Sequence, residues 1–245
     1  MSKLFIIFSM LFVFSCAEQT ATDGSQVKDV KIGNTASDKK VVSHEKIIVP
    51  EFKQEILKPE EVSPPLESIK GLDVMVESYH LGQNLSTEQI RDNLKLKQKI
   101  IRGTFDIKEL CRLSLAKHWA TLKEGQRDEF VGLMTRLLET KAIFSKEQLR
   151  GENKLYSIKY SKEVFDDKEK KKSTVKTNMH IPKDKLNLAI TYKLLLTPYG
   201  WKIYDVIVDE ASLLSNYKFQ FDRIIQKNGF DDLIQRMTSK LKKMG

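Results

Sequence analysis

The spacing of apolar residues changes twice along this chain, and that change limits the fold more than any other feature. From Leu66 the steps are three and four residues, at Ile69, Leu72, Met75 or Val76, and Tyr79, which is one face of a helix. Ser86-Thr87-Glu88-Gln89 has the form of a capping box, in which side chains take up the free amides of a helix start. Ile90, Leu94, Ile100 and Ile101 then give that helix an apolar side. Asp106 with Glu109 predicts a second such start, ahead of Ile107, Leu110, Cys111, Leu113, Ser114, Leu115 and Trp119. Thr121 with Glu124 predicts a third, opening a long helix through Phe130, Leu133, Met134, Leu137, Leu138 and Phe144.

Beyond Gly151 the period falls to two. Tyr156, Ile158 and Tyr160 predict one strand, and Val175, Thr177, Met179 and Ile181 a second. Leu188, Ile190, Tyr192, Leu194 and Leu196 predict a third. In a fourth, Trp201, Ile203, Asp205 and Ile207 sit opposite Tyr204, Val206 and Val208. The links at 166–172, 182–185 and 197–200 are short, so the strands form an antiparallel meander. Helical spacing returns at Leu213, Leu214, Tyr217, Phe221, Ile224 and Ile225, then past Gly229 at Phe230, Leu233, Ile234, Met237 and Leu241. With only 11 Gly and 6 Pro, the composition favours long elements over a turn-rich all-β class. The expected fold is α+β, with helices packed on one face of a curved four-stranded antiparallel sheet.

Residues 66–245 carry this pattern; what precedes them reads differently. Lys3 is followed by the apolar run Leu4 to Phe14 and then Ser15-Cys16, the form of a bacterial secretory signal and too short for a membrane span. A Cys directly after Val13-Phe14-Ser15 is similar to the lipobox of bacterial lipoproteins, so residues 1–16 read as a lipoprotein signal with Cys16 as the lipidated residue. From Ala17 to Pro65 the sole aromatic is Phe52, and Pro50, Pro59, Pro64 and Pro65 break any helix, which predicts a disordered tether over 17–65. Such a tether spans about 170 Å fully extended. Once Cys16 is acylated, Cys111 is the one remaining thiol, so an intrachain disulfide is excluded and its leucine neighbours predict burial.

Charge sits mainly in the folded region. Residues 1–65 hold 8 Lys+Arg against 9 Asp+Glu, leaving 34 against 24 for residues 66–245, so the basic balance belongs to the later part. An exported, tethered chain with no reader motif gives no reason to expect nucleic acid as its partner. The run Lys168, Lys170, Lys171, Lys172 with Asp166, Asp167 and Glu169 falls at a hairpin tip, where it reads as a solvated loop or as an attraction for anionic lipid or an acidic partner.

Little in the sequence offers covalent chemistry. No Walker-type glycine loop, CxxC, HExxH or GxSxG is present, and His44, His80, His118 and His180 are too scattered to ligate a metal. Neither a catalytic residue, a metal nor a cofactor is therefore assigned. Asp205, between Tyr204 and Val206, reads as a salt-bridge or turn contact, because no second carboxylate accompanies it.

Several stretches resemble a known family. Phe105-Asp106-Ile107 through His118-Trp119, Gln126-Arg127-Asp128-Glu129-Phe130, Leu137-Leu138, the continuous run Gly200 to Tyr217, and Gln220-Phe221 are together similar to MlaC, the toluene-tolerance family of periplasmic phospholipid-binding proteins. The resemblance covers about residues 68–242. It implies a non-enzymatic phospholipid shuttle across the periplasm, with acyl tails in an apolar cavity between sheet and helices. Its implied partners are phospholipid, an inner-membrane ABC transporter with its MCE lipid-binding subunit, and an outer-membrane lipoprotein complex. The sequence departs from the family pattern at Glu210-Ala211, where Glu-Gly is usual, and at Lys218, where Arg is usual and would grip phosphate with two prongs. Family members also diffuse freely, whereas a lipid anchor at Cys16 implies a captive shuttle; Ala17 lacks the Asp that retains lipoproteins at the inner membrane, which favours the outer one.

The residues expected to line an apolar cleft are Val76, Leu113, Leu133, Leu137, Ile190, Tyr192, Val206, Val208, Leu213, Tyr217 and Phe221, taken from helix and strand faces that oppose each other. Two other functions stay open at this point. A small-ligand enzyme would place a polar pair such as Asp205 and His180 in a cone-shaped cavity, and a lipoprotein chaperone would hold polypeptide there instead of lipid.

Overall fold

The computed structural model describes residues 53–80, 84–141, 156–182 and 185–244. The expected leader at 1–16, Cys16, His44, the tether as far as residue 52, and Phe144 lie outside them.

Helix α1 is Pro65–Glu77, opened by prolines that supply the fixed φ of a first turn. Helix α2 is Thr87–Thr104, and its start is the expected box: Ser86 Oγ accepts from the Gln89 amide at 3.2 Å while Gln89 Oε1 accepts from the Ser86 amide at 2.9 Å. Helix α3, Ile107–Leu115, begins where Asp106 accepts from the Glu109 amide at 2.9 Å. The helix expected to run on to Trp119 is broken at Ala116, whose φ of 49° and ψ of −118° no helix contains, and a short α4 follows at Lys117–Thr121. Helix α5 is Glu124–Lys141. Thr121 does not open it: its hydroxyl donates to the His118 carbonyl at 2.8 Å and so closes α4. Helices α6, Leu213–Asn228, and α7, Phe230–Met244, end the chain.

The sheet has six strands rather than four. The four expected strands are β1 (Ser157–Tyr160), β3 (Lys172–Ile181), β4 (Leu186–Thr197) and β5 (Gly200–Val208). Two-residue strands β2 (Val164–Phe165) and β6 (Ala211–Ser212) are added, in the order β1-β3-β4-β5-β6 with β2 also on β3. Strands β1 and β2 share one edge of β3, but Tyr160 faces Thr177 whereas Val164 faces Thr174, a slip of one residue that separates β2 from the strand expected at Tyr156, Ile158 and Tyr160.

A second slip matters more. Lys193 faces Asp205 while Leu194 faces Ile203, so Tyr204 is the extra residue of a bulge. The bulge resets the alternation of β5: Ile203 and Val206 share a face, because their partners Leu194 and Tyr192 are two residues apart, and Asp205 and Ile207 take the other. Strict alternation places Ile203 with Asp205 and is corrected here. On the inner face Val175, Thr177, Met179, Ile181, Leu188, Ile190, Tyr192, Leu194 and Ile203 are buried, while Lys176, Asn178, His180, Asn187 and Ala189 are exposed on the outer one. A sheet with one apolar and one polar face takes its helices on the apolar side. Helices α1, α2, α3 and α6 contact strands β3 or β5, and α5 and α7 form a further layer on α2, α3 and α6.

The segment 53–64, read from sequence as the end of the tether, lies along the domain instead. The Leu57 amide donates to the Pro198 carbonyl at 2.9 Å, Gln54 Nε2 donates to the Arg102 carbonyl at 2.6 Å, and a 3-10 turn spans Pro59–Glu61.

Candidate functional site

Four of the expected cleft residues come together on the sheet as two neighbouring cross-strand pairs. Ile190 faces Val208 and Tyr192 faces Val206, and the rows extend to Thr177 and Val175 on β3. Residues two apart on a strand share a face, so the four side chains form one apolar patch. The β4 half is buried, with Ile190 and Tyr192 at 8% and 5% exposure, whereas Val206 and Val208 on β5 are only half-buried. Leu213, in the first turn of α6, is half-buried as well. The inner face is thus tightly covered at its centre and less so where β5 passes through β6 into α6.

The helix candidates divide differently. Tyr217 and Phe221 stack nearly parallel with ring centroids 5.3 Å apart, and Phe221 meets Phe130 of α5 edge-on at 5.4 Å. Both are fully enclosed, and burial pushes the Tyr217 phenol far up. Leu133 and Leu137 are buried on α5, Val76 is buried on α1, and Leu113 is half-buried on α3. Leu194, Ile203, Leu188 and Met179 complete the inner face without having been singled out. The alternation of β3 and β4 carried the signal for three of them, and the bulge concealed it for Ile203.

Polar residues of the Gly200–Tyr217 stretch fix helices to the sheet. Asp205 Oδ2 accepts from Ser212 Oγ at 2.7 Å and Oδ1 from the Leu214 amide at 2.9 Å, which satisfies a free amide at the start of α6. This is the turn contact expected of it. Burial raises the Asp205 pKa, and the Leu214, Ser212 and Val206 hydrogen bonds and Lys193 oppose that rise. Lys202 donates from Nζ to the Gly103 carbonyl in the last turn of α2, where a cation complements the helix dipole; burial lowers its pKa against the pull of Asp106. On the opposite edge the Tyr160 hydroxyl donates to Asp73 of α1 at 2.7 Å, and burial followed by that carboxylate pushes the phenol well up.

Asp205 and His180 do not converge. Asp205 stands opposite Lys193 with its carboxylate taken up by Ser212 and the Leu214 amide at the start of α6, and His180 stands opposite Asn187 with its Nδ1 2.7 Å from Asn187 Oδ1, exposed on the outer face, so the two are engaged at separate places. His118 Nε2 is 2.8 Å from Asp222 Oδ1, tying α4 to α6. Cys111 is fully buried and burial raises its pKa well above the ordinary thiol value, so it is held as the unreactive thiol. Among the described residues no three metal-ligating side chains form a group. What the inner face can do chemically is exclude water from apolar surface.

Comparison with known proteins agrees with this geometry. None of the curated proteins matches the chain. Among solved structures, the phospholipid-binding protein from Ralstonia solanacearum, solved in complex with a phospholipid, has the same fold at a TM-score of 0.60 and 18% identity, covering 74% of this chain and 99% of that one. The MlaC protein family matches residues 75–239, which takes in every element from the end of α1 to α7. The chain belongs to the MlaC family.

Proposed function

We propose that this chain is a phospholipid carrier without catalytic activity. It holds the acyl tails of a phospholipid against the inner face of the sheet, and the patch formed by Ile190–Val208 and Tyr192–Val206 is the observation that carries the reading. Burying acyl chain contributes roughly 0.8 kcal/mol per CH₂, so a wall of this kind supplies most of the affinity without any specific polar contact. The half-burial of Val206, Val208 and Leu213 supports entry of the tails on that side. Family membership and the phospholipid held by the Ralstonia protein support the assignment.

The carrier works in the periplasm, between an inner-membrane ABC transporter with its MCE subunit and an outer-membrane lipoprotein complex. Acylation at Cys16 ties it to the outer membrane, and the segment that follows lets it swing between the two. Organic extraction and mass spectrometry of the purified protein test the lipid site; stoichiometric phospholipid is expected. Folded protein that is empty, and that takes up no phospholipid from vesicles, rejects it. Cys16→Ser tests the anchor by moving the protein from the membrane to the soluble fraction.

A further inference from the structure

Four large apolar side chains are exposed at one end of the domain, brought there by three separate segments. Ile56 is 73% exposed in the 53–64 segment, Val164 and Phe165 of β2 are 60% and 39% exposed, and Tyr199 of the β4–β5 turn is 40% exposed. The segments touch: the Leu57 amide bonds to the Pro198 carbonyl, and the Phe165 ring is 6.1 Å from Trp201. Between them runs a groove of about 590 Å³ whose walls include Leu57, Val62, Phe165, Leu196, Pro198 and Trp201. Single exposed apolar residues are ordinary on a surface; here Phe165 lines the groove while Val164, opposite Thr174, takes the other face of the same edge, so this end presents apolar side chains on both sides of the sheet, which marks a contact site.

Charge at this end is balanced. Residues 53–61 and 162–172 together hold seven lysines and seven acids, in a protein whose net charge is +9. The acids of the hairpin tip are engaged: Glu169 lies 2.7 Å from Lys171, Asp166 takes Lys193 of β4 at 3.3 Å, and Asp167 accepts the Lys171 amide at 2.8 Å. The Lys170 ammonium sits 5.6 Å above the Phe165 ring. Such a tip is a weak attractor for anions. Aromatic and aliphatic side chains flanked by lysines, with no net charge, suit the boundary between hydrocarbon and headgroups.

We infer that this end of the domain docks on a phospholipid bilayer, lodging Ile56, Val164, Phe165 and Tyr199 at its surface by apolar contact. The occupant is argued from where the chain arrives: 36 residues join the expected lipid anchor at Cys16 to Lys53, where the chain enters the domain at this same end. Trp201 and Val208 are seven residues apart on β5, about 23 Å of strand. Docked this way, the domain holds Val206 and Val208 away from the membrane; that orientation rests on the carrier reading, and the contact itself does not.

The test uses the full chain with vesicles of phosphatidylcholine brominated in the acyl chains, which quench nearby tryptophan. Trp119→Phe leaves Trp201 beside the groove, and Trp201→Phe leaves Trp119 on α4. Trp201 emission is expected to fall at least twofold, equally in 0.1 and 0.5 M salt on the order of the screening argument, while Trp119 keeps its emission. Val164→Asp with Tyr199→Asp, both at exposed positions, removes the quenching although the acylated chain still sediments with the vesicles through Cys16. Unquenched Trp201 on sedimenting vesicles overturns the inference in favour of a protein or a second copy at this site. Loss of quenching in high salt, survival of quenching in the double variant, or quenching of Trp119 in place of Trp201 also overturns it. Protein separated from the vesicles is expected to regain its Trp201 emission; emission that stays quenched assigns the quenching to lipid carried on the inner face, where Trp201 faces Leu196, and overturns the inference.

Discussion

Asp205 on β5 accepts the amide of Leu214 in the first turn of α6, at 2.9 Å, so one carboxylate joins the sheet to the helix beside the half-buried Val206 and Val208. Asp205→Ala strips that buried amide of its partner and is expected to cost about 1–3 kcal/mol in chemical denaturation. Asp205→Asn keeps an acceptor and removes a charge that burial disfavours, so its stability at neutral pH stays near that of the unaltered protein. Because burial raises the folded-state pKa above the unfolded value, the folded protein binds the proton more readily. Stability from this group therefore falls as pH rises from the unfolded value through the raised one, and Asp205→Asn lacks that slope. A slope of opposite sign in the unaltered protein, absent from the variant, contradicts the account.

Among the described residues Ala116, Lys170, Lys185, Asp209 and Glu210 have positive φ without being glycine, and two of them make the clearest tests. Ala116 has φ 49° and ψ −118° between α3 and α4, and Glu210 has φ 70° in the turn between β5 and β6. An L-residue there costs roughly 1–2 kcal/mol, part of which glycine returns as lost chain entropy. Ala116→Gly and Glu210→Gly are each expected to stabilise by about 0.5–1 kcal/mol, a rise of roughly 2–3 °C in Tm. Calorimetry that finds either variant less stable disproves the strain.

Gly200 is the reverse case. Its φ is +86°, and a Cβ built on it would lie 3.3 Å from Leu57 Cδ1. Gly200→Ala strains the β4–β5 turn and pushes on the 53–64 segment together. The expected cost is about 1–2 kcal/mol, accompanied by faster amide exchange at Leu57, whose bond to Pro198 depends on that turn. Unchanged exchange at Leu57 would separate the segment from the turn.

Val208→Asp places a carboxylate in the apolar patch at a position that is already half-buried. Phospholipid carried by the purified protein is expected to drop at least tenfold, equivalent to about 1.4 kcal/mol of affinity. Ala189→Asp, on the exposed outer face of β4, is the matched control and keeps its lipid. Equal lipid loads in the two variants would move the site off this part of the sheet.

Much of the fold was legible because its signals are local. The Ser86 and Asp106 starts are contained within four residues, and the alternation of Val175 to Ile181 and Leu188 to Leu196 needs no partner to be read. The misreadings involve the rest of the molecule. The Tyr204 bulge is defined by its register against Lys193 and Leu194, and the 53–64 segment is held by Gln54 and Leu57 bonding to residues 48 and 141 positions away. Thr121 shows another limit: a hydroxyl ahead of a helix has two backbone groups within reach, and here it turns back to His118. For the site, the sheet residues were readable as neighbours, since Ile190, Tyr192, Val206 and Val208 follow from alternation and a short turn. The helices were less so. Tyr217 and Phe221 lie on an apolar side that meets both sheet and helices, and spacing along α6 does not distinguish the two.

Helix α6 is pinned at its first turn by Asp205, while its last residue, Asn228, lies 15 positions further on, about 23 Å away. A tilt of roughly 5° about that pin carries the far end about 2 Å and barely displaces Leu213, and because Asp222 meets His118 at mid-length the tilt has to carry α4 with it. If the cleft widens by such a tilt, the swing is greatest where α6 meets α7 and least beside Val206 and Val208. The half-buried corner beside Leu213, which the carrier proposal makes the entry side, would then behave as a hinge, with the added volume at the α7 end.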